Sequence, residues 1–487
     1  MSVPAQSIFG RLSGHVENGL VKSWPVAAAA CGLAGLGVVM GSGAEFSLAM
    51  PALAALAAVG ISSTLPRKDR GASFGFFAWA LLSRLLVIVV LKSSLSDYVD
   101  GGLLGPDAQV YFLRSRFLAE SGFRLDSPFA FFGSVDIGAY YLFGVVQAIF
   151  GPHLLALEVM NASLSALVAP VAFAWGRQTV PRHAGLIAGL AAFSPSFVVG
   201  STADLLKDPS VILATTLVVW AASRLLRGVP VERTIGWMGL LVFGLTFLHI
   251  TRFYAAAYLE AGLLVVVGVG MVRNRADHMW RKRLGTVGAA IVLAEAICVA
   301  GGWQVSPAEV VTQVRYVAAT PAMQEAGPAM QEATPDITTS SAPFLEKAID
   351  VGRRVFGPFV WIAPTRFELK YLLLADFDLY PDTLLWYFTL PAVAIGILMT
   401  IASLRQNPKT SPELGPVALF LALYLAQYLA INVSYRQRED VLLLMLAFVP
   451  TGARWVLATR PGQVLYAGYW FLLIVVAAGH LIFRAHG

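Results

Sequence analysis

Long apolar runs dominate the chain, and short stretches that contain charges, glycine or proline separate them. A helix of about 20 apolar residues is long enough to cross the hydrocarbon core of a membrane. The pattern predicts about thirteen such helices, over residues 25–42, 47–64, 73–92, 153–176, 183–202, 209–226, 234–251, 253–272, 284–302, 382–403, 413–431, 439–457 and 463–483. We therefore expect an all-α polytopic membrane protein.

The run 137–151 is shorter, at about fifteen residues, and its length permits either a crossing or a helix at the membrane interface. Lysine and arginine concentrate on the cytoplasmic side of membrane proteins. If 137–151 does not cross, all the basic clusters share one side. These clusters are Arg67/Lys68/Arg70, Arg177/Arg182, Arg224/Arg227/Arg233, Arg273/Arg275/Arg281/Lys282/Arg283, Arg405/Lys409 and Arg454/Arg460. We therefore predict that 137–151 is interfacial or re-entrant.

This topology places several charged segments together on the opposite, outer face. They are the loop 93–136, the turn 201–209, Arg252, the long loop 303–381 and residues 434–440. Lysine and arginine are rare in outer connections, so the cations on this face favour a functional role. The long loop contains the sequence PAMQEA twice, which indicates either a flexible lid or an ordinary surface loop.

The predicted organisation has four parts. Residues 1–72 form a cytoplasmic segment and a transmembrane hairpin, 73–302 the transmembrane core with the first outer loop, 303–381 the long outer loop and 382–487 the C-terminal helices. Hydrophobic residues make up 57% of the chain and charged residues 13%, and the mean hydropathy is +0.69. This composition leaves no polar block for a separate soluble catalytic domain, so any chemistry must come from loops and helix ends.

The net charge and the positions of cysteine and histidine argue against several classes of function. The basic pI of about 9.3 reflects residues that set membrane topology, so nucleic acid is not an expected partner. Cys31 and Cys298 lie inside apolar runs, which argues against a disulfide framework or a thiolate metal site. The seven histidines are scattered, so a histidine-based metal site is not expected. The sequence leaves open whether carboxylates on the outer face bind a divalent ion.

Two outer segments carry acidic residues in helix-forming contexts. Asp97 and Asp107 lie in the first outer loop, and Tyr111 follows Asp107 at i+4, on the same face of a helix. Asp107 either caps that helix or acts chemically, and both interpretations stay open. Lys207 and Asp208 lie where the next helix returns to the membrane. Helix-end electrostatics or a functional role explains this pair equally well.

Three arginines lie at predicted outer boundaries of the membrane. Arg252, Arg436 and Arg438 occupy such positions, where a cation suits an anionic headgroup or a lipid phosphate. The alternative for Arg436 and Arg438 is neutralisation by Glu439 and Asp440, which follow them directly.

Three further charges lie inside predicted membrane helices, at Arg84, Glu260 and Glu295. A charge at the centre of a membrane helix costs roughly 2.5–3.5 kcal/mol on insertion scales. We therefore expect all three side chains to face the helix bundle. They either pair structurally or mark a pathway, and the sequence does not separate these alternatives.

The order of several segments resembles the GT-C glycosyltransferase superfamily, which includes protein O-mannosyltransferases and the lipid A aminoarabinose transferase. These segments are DAQVY at 107–111, the aromatic run from 139, WGRQTVPRHAGLIAGLAAFSPSF at 175–197 and LLKDPSVILATTL at 205–217. The resemblance is clearest over residues 73–230. A weaker similarity covers Arg436-Gln437-Arg438, which precede a late apolar helix.

The resemblance implies a multi-pass enzyme of the bacterial inner membrane. It would transfer a sugar from a polyprenyl-phosphate-linked donor to an envelope or exopolysaccharide acceptor on the periplasmic face, usually with inversion. The expected partners are the lipid donor, a glycan or lipid acceptor and membrane lipids.

The resemblance also implies roles for individual residues. Asp107 matches the position of the family's candidate general base. Ala108 stands where a second acid often follows, which weakens the case for a metal pair in this loop, although a divalent cation stays open as a cofactor. The donor-phosphate candidates are Lys207, Arg252, Arg436 and Arg438, and the supporting candidates are Tyr111, Asp208 and Asp97.

Two alternatives belong to other classes of function. One is a polymerase or ligase for polyprenyl-diphosphate oligosaccharides, for which Arg436 and Arg438 would be central. The other is a transporter of lipid-linked glycans, which would need charged residues along a path through the membrane.

Overall fold

A computed structural model describes residues 13–19, 23, 25–31, 49–95, 106–123, 137–194, 197–198, 205–303, 380–406, 412–430 and 439–486. These residues form helices and turns and contain no β-strand, which confirms the all-α class for the described part of the chain. The helices are α1 (Ala49–Ser63), α2 (Arg67–Leu95), α3 (Pro106–Glu120), α4 (Ile137–Phe150), α5 (Leu154–Thr179), α6 (Ala184–Phe193), α7 (Asp208–Arg227), α8 (Val231–Arg273), α9 (His278–Ala300), α10 (Tyr380–Gln406), α11 (Leu414–Ala430), α12 (Glu439–Met445), α13 (Val449–Ala458) and α14 (Arg460–His486).

Six helices of the described chain are long and apolar enough to cross a membrane. They lie at Arg67–Val90, Leu154–Thr179, Asp208–Arg227, Val231–Arg273, His278–Ala300 and Leu384–Gln406. These helices indicate a multi-pass membrane protein, whereas the total of about thirteen crossings stays a prediction. Helix α4 has 14 residues, or about 21 Å of rise, which is shorter than the hydrocarbon core.

Helix α8 has 43 residues, and a straight helix of that length would extend about 65 Å, roughly twice the hydrocarbon thickness. Its backbone leaves helical geometry at Arg252, where φ is −154° and ψ is 73°. The sequence predicts two helices, 234–251 and 253–272, that meet at this residue. The position of the break agrees with that prediction.

Two predicted helices are interrupted, and proline explains both differences. The predicted helix 183–202 ends at Phe193 as α6, and Ser194 is extended because residues before a proline avoid the helical region. The predicted helix 439–457 is divided into α12 and α13, with Pro450 in the first turn of α13. Proline lacks the N–H that would continue the helical hydrogen bonds of the preceding turn.

Contacts between helix ends bring predicted basic clusters together. Arg177, near the end of α5, pairs with Asp69 in the first turn of α2 at 3.1 Å and also with Glu17. Burial raises the pKa of Glu17, although the Arg177 cation opposes that shift. At the end of α7, Arg227 lies 2.6 Å from Glu413. Arg177 therefore joins the end of α5 to the start of α2, and Arg227 joins the end of α7 to the residue that precedes α11. The common cytoplasmic side of the basic clusters stays a prediction.

Arg84 is fully buried in the middle of α2 and has hydrogen-bond partners for its guanidinium. It donates to Ser165 Oγ at 2.9 Å, to the Ala191 carbonyl at 2.9 Å and to the Ala192 carbonyl at 3.1 Å. These carbonyls belong to the last turn of α6, where helix carbonyls lack helical partners and carry partial negative charge. Of the two interpretations of Arg84, the structural one agrees with these contacts.

Candidate functional site

Helices α3 and α4 form a hairpin with its own hydrophobic core. Gln147 of α4 donates to Ser115 Oγ at 2.6 Å and to the Phe112 carbonyl at 3.2 Å, both in α3. Tyr111 is buried, and its ring centroid lies 5.4 Å from Tyr140 and 5.9 Å from Phe143. Tyr111, a predicted supporting residue of the site, therefore packs inside the hairpin.

The same core includes the segment that leads into α7. Leu205 and Leu206 are buried in one cluster with Ala108 of α3. Asn161 of α5 is fully buried and donates to the Leu206 carbonyl at 2.9 Å. This bond fixes the backbone immediately before Lys207. The sequence signal for Asn161 was an isolated amide inside an apolar helix.

Lys207 and Asp208 lie at the N-terminus of α7, with Lys207 at the cap position and Asp208 in the first turn. The N-terminus of a helix carries partial positive charge, which favours a carboxylate or a bound anion. The predicted placement of both residues at a helix start is confirmed.

Asp208 pairs with Arg252, the residue at which α8 breaks. The Arg252 guanidinium donates from Nη2 to Asp208 Oδ1, and only 6% of the arginine side chain and 23% of the aspartate side chain are exposed. The resemblance implies separate roles for these two residues, with Arg252 at the donor phosphate and Asp208 as a supporting residue. The structure instead joins them in one largely buried ion pair.

Helix α4 begins against the break in α8. A Cβ atom added to Gly138 would lie 2.6 Å from side-chain atoms of both Ile250 and Thr251, so only glycine permits this approach without a shift of its neighbours. Three elements therefore meet here: the α3–α4 hairpin, the N-terminus of α7 and the break in α8. We call this meeting point the helix-end site.

The helix-end site lies far from the basic ends of the helices. Along α7, Asp208 and Arg227 mark opposite ends of a 20-residue helix, which rises about 30 Å. That distance equals the thickness of a typical hydrocarbon core. If α7 crosses a membrane, the Arg252–Asp208 pair and Arg227 therefore lie near opposite boundaries.

A second polar cluster joins two residues for which the sequence left alternatives open. His249 Nε2 lies 3.0 Å from Glu260 Oε1 and 3.2 Å from Glu295 Oε1. Both glutamates are predicted from sequence as charges inside membrane helices, whereas His249 is not predicted. The signal that could have found it is its position three residues before Arg252, inside an apolar run.

Several predicted site residues lie outside the described part of the chain. Asp97, Arg436, Arg438 and residues 304–379 of the long outer loop belong to this group. Asp107 lies in the first turn of α3, next to the buried Ala108, and the structure describes its backbone but not its side chain. Their predicted roles stay predictions.

Comparisons with protein-family models, curated proteins and solved structures found no match to this chain.

Proposed function

We propose that this chain is a membrane glycosyltransferase of the GT-C type. It would move a sugar from a polyprenyl-phosphate-linked donor to an envelope or exopolysaccharide acceptor on the periplasmic face of a bacterial inner membrane. The similarity of segment order described above motivates the family. The observation that supports the site is the convergence of α3, which carries Asp107, with Lys207 and the Arg252–Asp208 pair.

In the proposed reaction, an acceptor hydroxyl attacks C1 of the donor sugar and its proton passes to the Asp107 carboxylate. The bond between C1 and the phosphate oxygen breaks, and polyprenyl phosphate leaves with the bonding electron pair. A positioned carboxylate typically accelerates such a step by about 10²–10⁴-fold. Negative charge grows on the departing phosphate, so fixed positive charge beside it stabilises the transition state.

Lys207 is the described residue best placed to meet that charge. It lies at a helix N-terminus, so its ammonium group and the partial positive charge of α7 act in the same direction. Arg252 is held by the Asp208 carboxylate, which offsets most of its charge. We therefore assign donor-phosphate binding mainly to Lys207 and give the Arg252–Asp208 pair the task of positioning α7 against the break in α8.

Helix α3 also carries an apolar stripe suited to a lipid. Val110, Leu113 and Phe117 are 39%, 60% and 45% exposed, and their spacing places them along one side of a helix. Such a stripe fits a bilayer surface or an isoprenoid chain. A donor whose tail lies along this stripe would place its phosphate near the α7 N-terminus, where the hairpin core includes Leu206.

The test is mass spectrometry of the lipids that co-purify with the protein from native-like lipid. We expect a polyprenyl-phosphate sugar with the wild type, at least tenfold less of it with Lys207→Ala, and no loss with Lys68→Ala. Lys68 is an exposed lysine in the first turn of α2, so it controls for loss of one positive charge.

Other results would contradict the proposal. A polyprenyl-diphosphate oligosaccharide would favour the polymerase or ligase, and absence of any isoprenoid would leave the transporter open. Equal donor retention by Lys207→Ala and the wild type would remove Lys207 from the phosphate site.

A further inference from the structure

Three ligand-type side chains converge between helices α8 and α9. One ligand atom from each of His249, Glu260 and Glu295 lies within 4.8 Å of the other two. The exposed side-chain fractions are 15%, 7% and 41% in that order. All three residues belong to helices that are apolar enough to cross a membrane, where such groups are rare and usually functional.

The break at Arg252 is what brings His249 and Glu260 together. These residues are 11 positions apart in the chain, so a straight helix would separate their Cα atoms by about 16 Å. Their side-chain atoms nevertheless lie 3.0 Å apart. The bend therefore turns the two halves of α8 toward one another, and Glu295 of α9 completes the cluster.

The cluster concentrates negative charge where solvation is weak. Within the described residues, Glu260 and Glu295 each form an ion pair with His249, and their two carboxyl groups also lie within hydrogen-bond reach of one another. A neutral imidazole carries one N–H, and Nε2 can donate a single proton to two carboxylates that repel one another. A divalent cation would balance both carboxylates and would use the histidine nitrogen as a ligand.

The spacing of the ligand atoms suits such an ion. Zinc binds histidine nitrogen at about 2.0–2.1 Å and carboxylate oxygen at about 2.0–2.2 Å, usually with tetrahedral geometry. These lengths place neighbouring ligand atoms about 3.3 Å apart. The two distances from His249 Nε2, 3.0 Å and 3.2 Å, are close to that separation.

We propose that His249, Glu260 and Glu295 bind one divalent transition-metal ion, with Zn²⁺ as the best-suited ion. Imidazole and carboxylate ligands together favour this class over calcium or magnesium, which prefer oxygen alone. Three protein ligands leave a fourth position for water or another ligand. This site is distinct from the carboxylate-bound ion that the sequence leaves open on the outer face.

The ion would also fix the bend that presents Arg252. His249 lies three residues before the break and Glu260 eight residues after it, so one ion would tie both halves of α8 to α9. The metal site therefore has a structural consequence that does not depend on the proposed glycosyltransferase activity.

The experiment measures zinc bound to the full chain, purified through a tag without histidine. Zn²⁺ alone is added, excess is removed, and metal per chain is determined by elemental mass spectrometry. We expect one Zn²⁺ per wild-type chain and more than about 100-fold weaker binding by His249→Gln and Glu260→Gln, because loss of second-shell partners alone costs 10–100-fold. His278→Gln and Glu232→Gln serve as controls, since both residues are exposed on α9 and α8.

Each outcome bears on the proposal. A wild type that binds no Zn²⁺, or variants that keep wild-type affinity, would overturn it and leave a hydrogen-bonded cluster. If Glu260→Gln fails to fold, Glu295→Gln replaces it, because Glu295 is the most exposed of the three. Loss of zinc from the control variants would show adventitious surface binding and would also overturn the site.

Discussion

The guanidinium of Arg252 pairs with the carboxylate of Asp208, and this contact joins the break in α8 to the first turn of α7. The two residues are 44 positions apart in the chain. Because little of either side chain is exposed, the pair ties the two helices together where water is scarce. The position of the whole helix-end site therefore depends on this contact.

Asp208→Asn should strongly destabilise the protein. The substitution leaves a buried Arg252 without its counter-charge, and breaking such a pair typically costs about 3–5 kcal/mol. Thermal unfolding in detergent measures the effect. Glu120→Gln is the control, because it removes an exposed pair with Arg116 and should cost less than about 1 kcal/mol. Equal melting temperatures for the two variants would show that the Arg252–Asp208 pair is not structural.

Gly138→Ala should separate α4 from the break in α8. The added methyl group would overlap Ile250 and Thr251, and such overpacking typically costs about 1–3 kcal/mol. Gly268→Ala provides a matched control inside α8, since nothing lies within 4 Å of its added Cβ. That control should be neutral or stabilising by up to about 1 kcal/mol. Unfolding curves that rank the variants in the opposite order would disprove the close approach.

Glu17 should make stability depend on pH. Burial raises its pKa above the ordinary 4.5, so the folded state binds the proton more tightly than the unfolded state. The resulting stabilisation is complete below pH 4.5 and is lost as pH rises through the higher folded pKa. The melting temperature of the wild type should therefore fall relative to Glu17→Gln across that interval.

His183 provides the opposite dependence at the same end of the molecule. Burial and the neighbouring Arg182 cation lower its pKa below 6.5, so the unfolded state is protonated first as pH falls. The wild type should therefore lose stability relative to His183→Gln when pH drops below 6.5. The melting temperature of the wild type should change with pH in opposite directions relative to Glu17→Gln and to His183→Gln. Changes in the same direction would contradict the burial of one of these residues.

The predicted topology is tested by chemical labelling. In a chain with Cys31 and Cys298 replaced by alanine, a cysteine at 328 should react with a membrane-impermeant thiol reagent added outside intact cells. A cysteine at His278, at the basic start of α9, should not. The reverse labelling would place the helix-end site on the cytoplasmic side and remove the proposed periplasmic reaction.

Features encoded in short segments could be predicted from sequence. Proline and charge positions define local backbone preferences, so the start of α7 and the break at Arg252 follow from the residues near them. The end of α6 and the division between α12 and α13 were not predicted, because the apolar runs continue through Pro195 and Pro450. Proline instead ends a helix or begins a new one.

Contacts between distant segments could not be predicted in the same way. The Arg252–Asp208 pair and the His249 cluster depend on the angle of the α8 bend, which no local pattern encodes. The expectation against a histidine-based metal site relied on the scattered histidines. That expectation stays a prediction, and zinc binding by His249, Glu260 and Glu295 would overturn it.

Release of polyprenyl phosphate from a polyprenyl-phosphate-linked sugar most directly tests the central proposal. Purified wild type, Asp107→Asn and the α3 control Glu120→Gln are each incubated with the co-purified donor and a membrane extract that supplies the acceptor. We expect Asp107→Asn to retain its donor lipid but to release product about 10²–10⁴-fold more slowly, with Glu120→Gln unchanged. Near wild-type release by Asp107→Asn would show that this carboxylate is not the base.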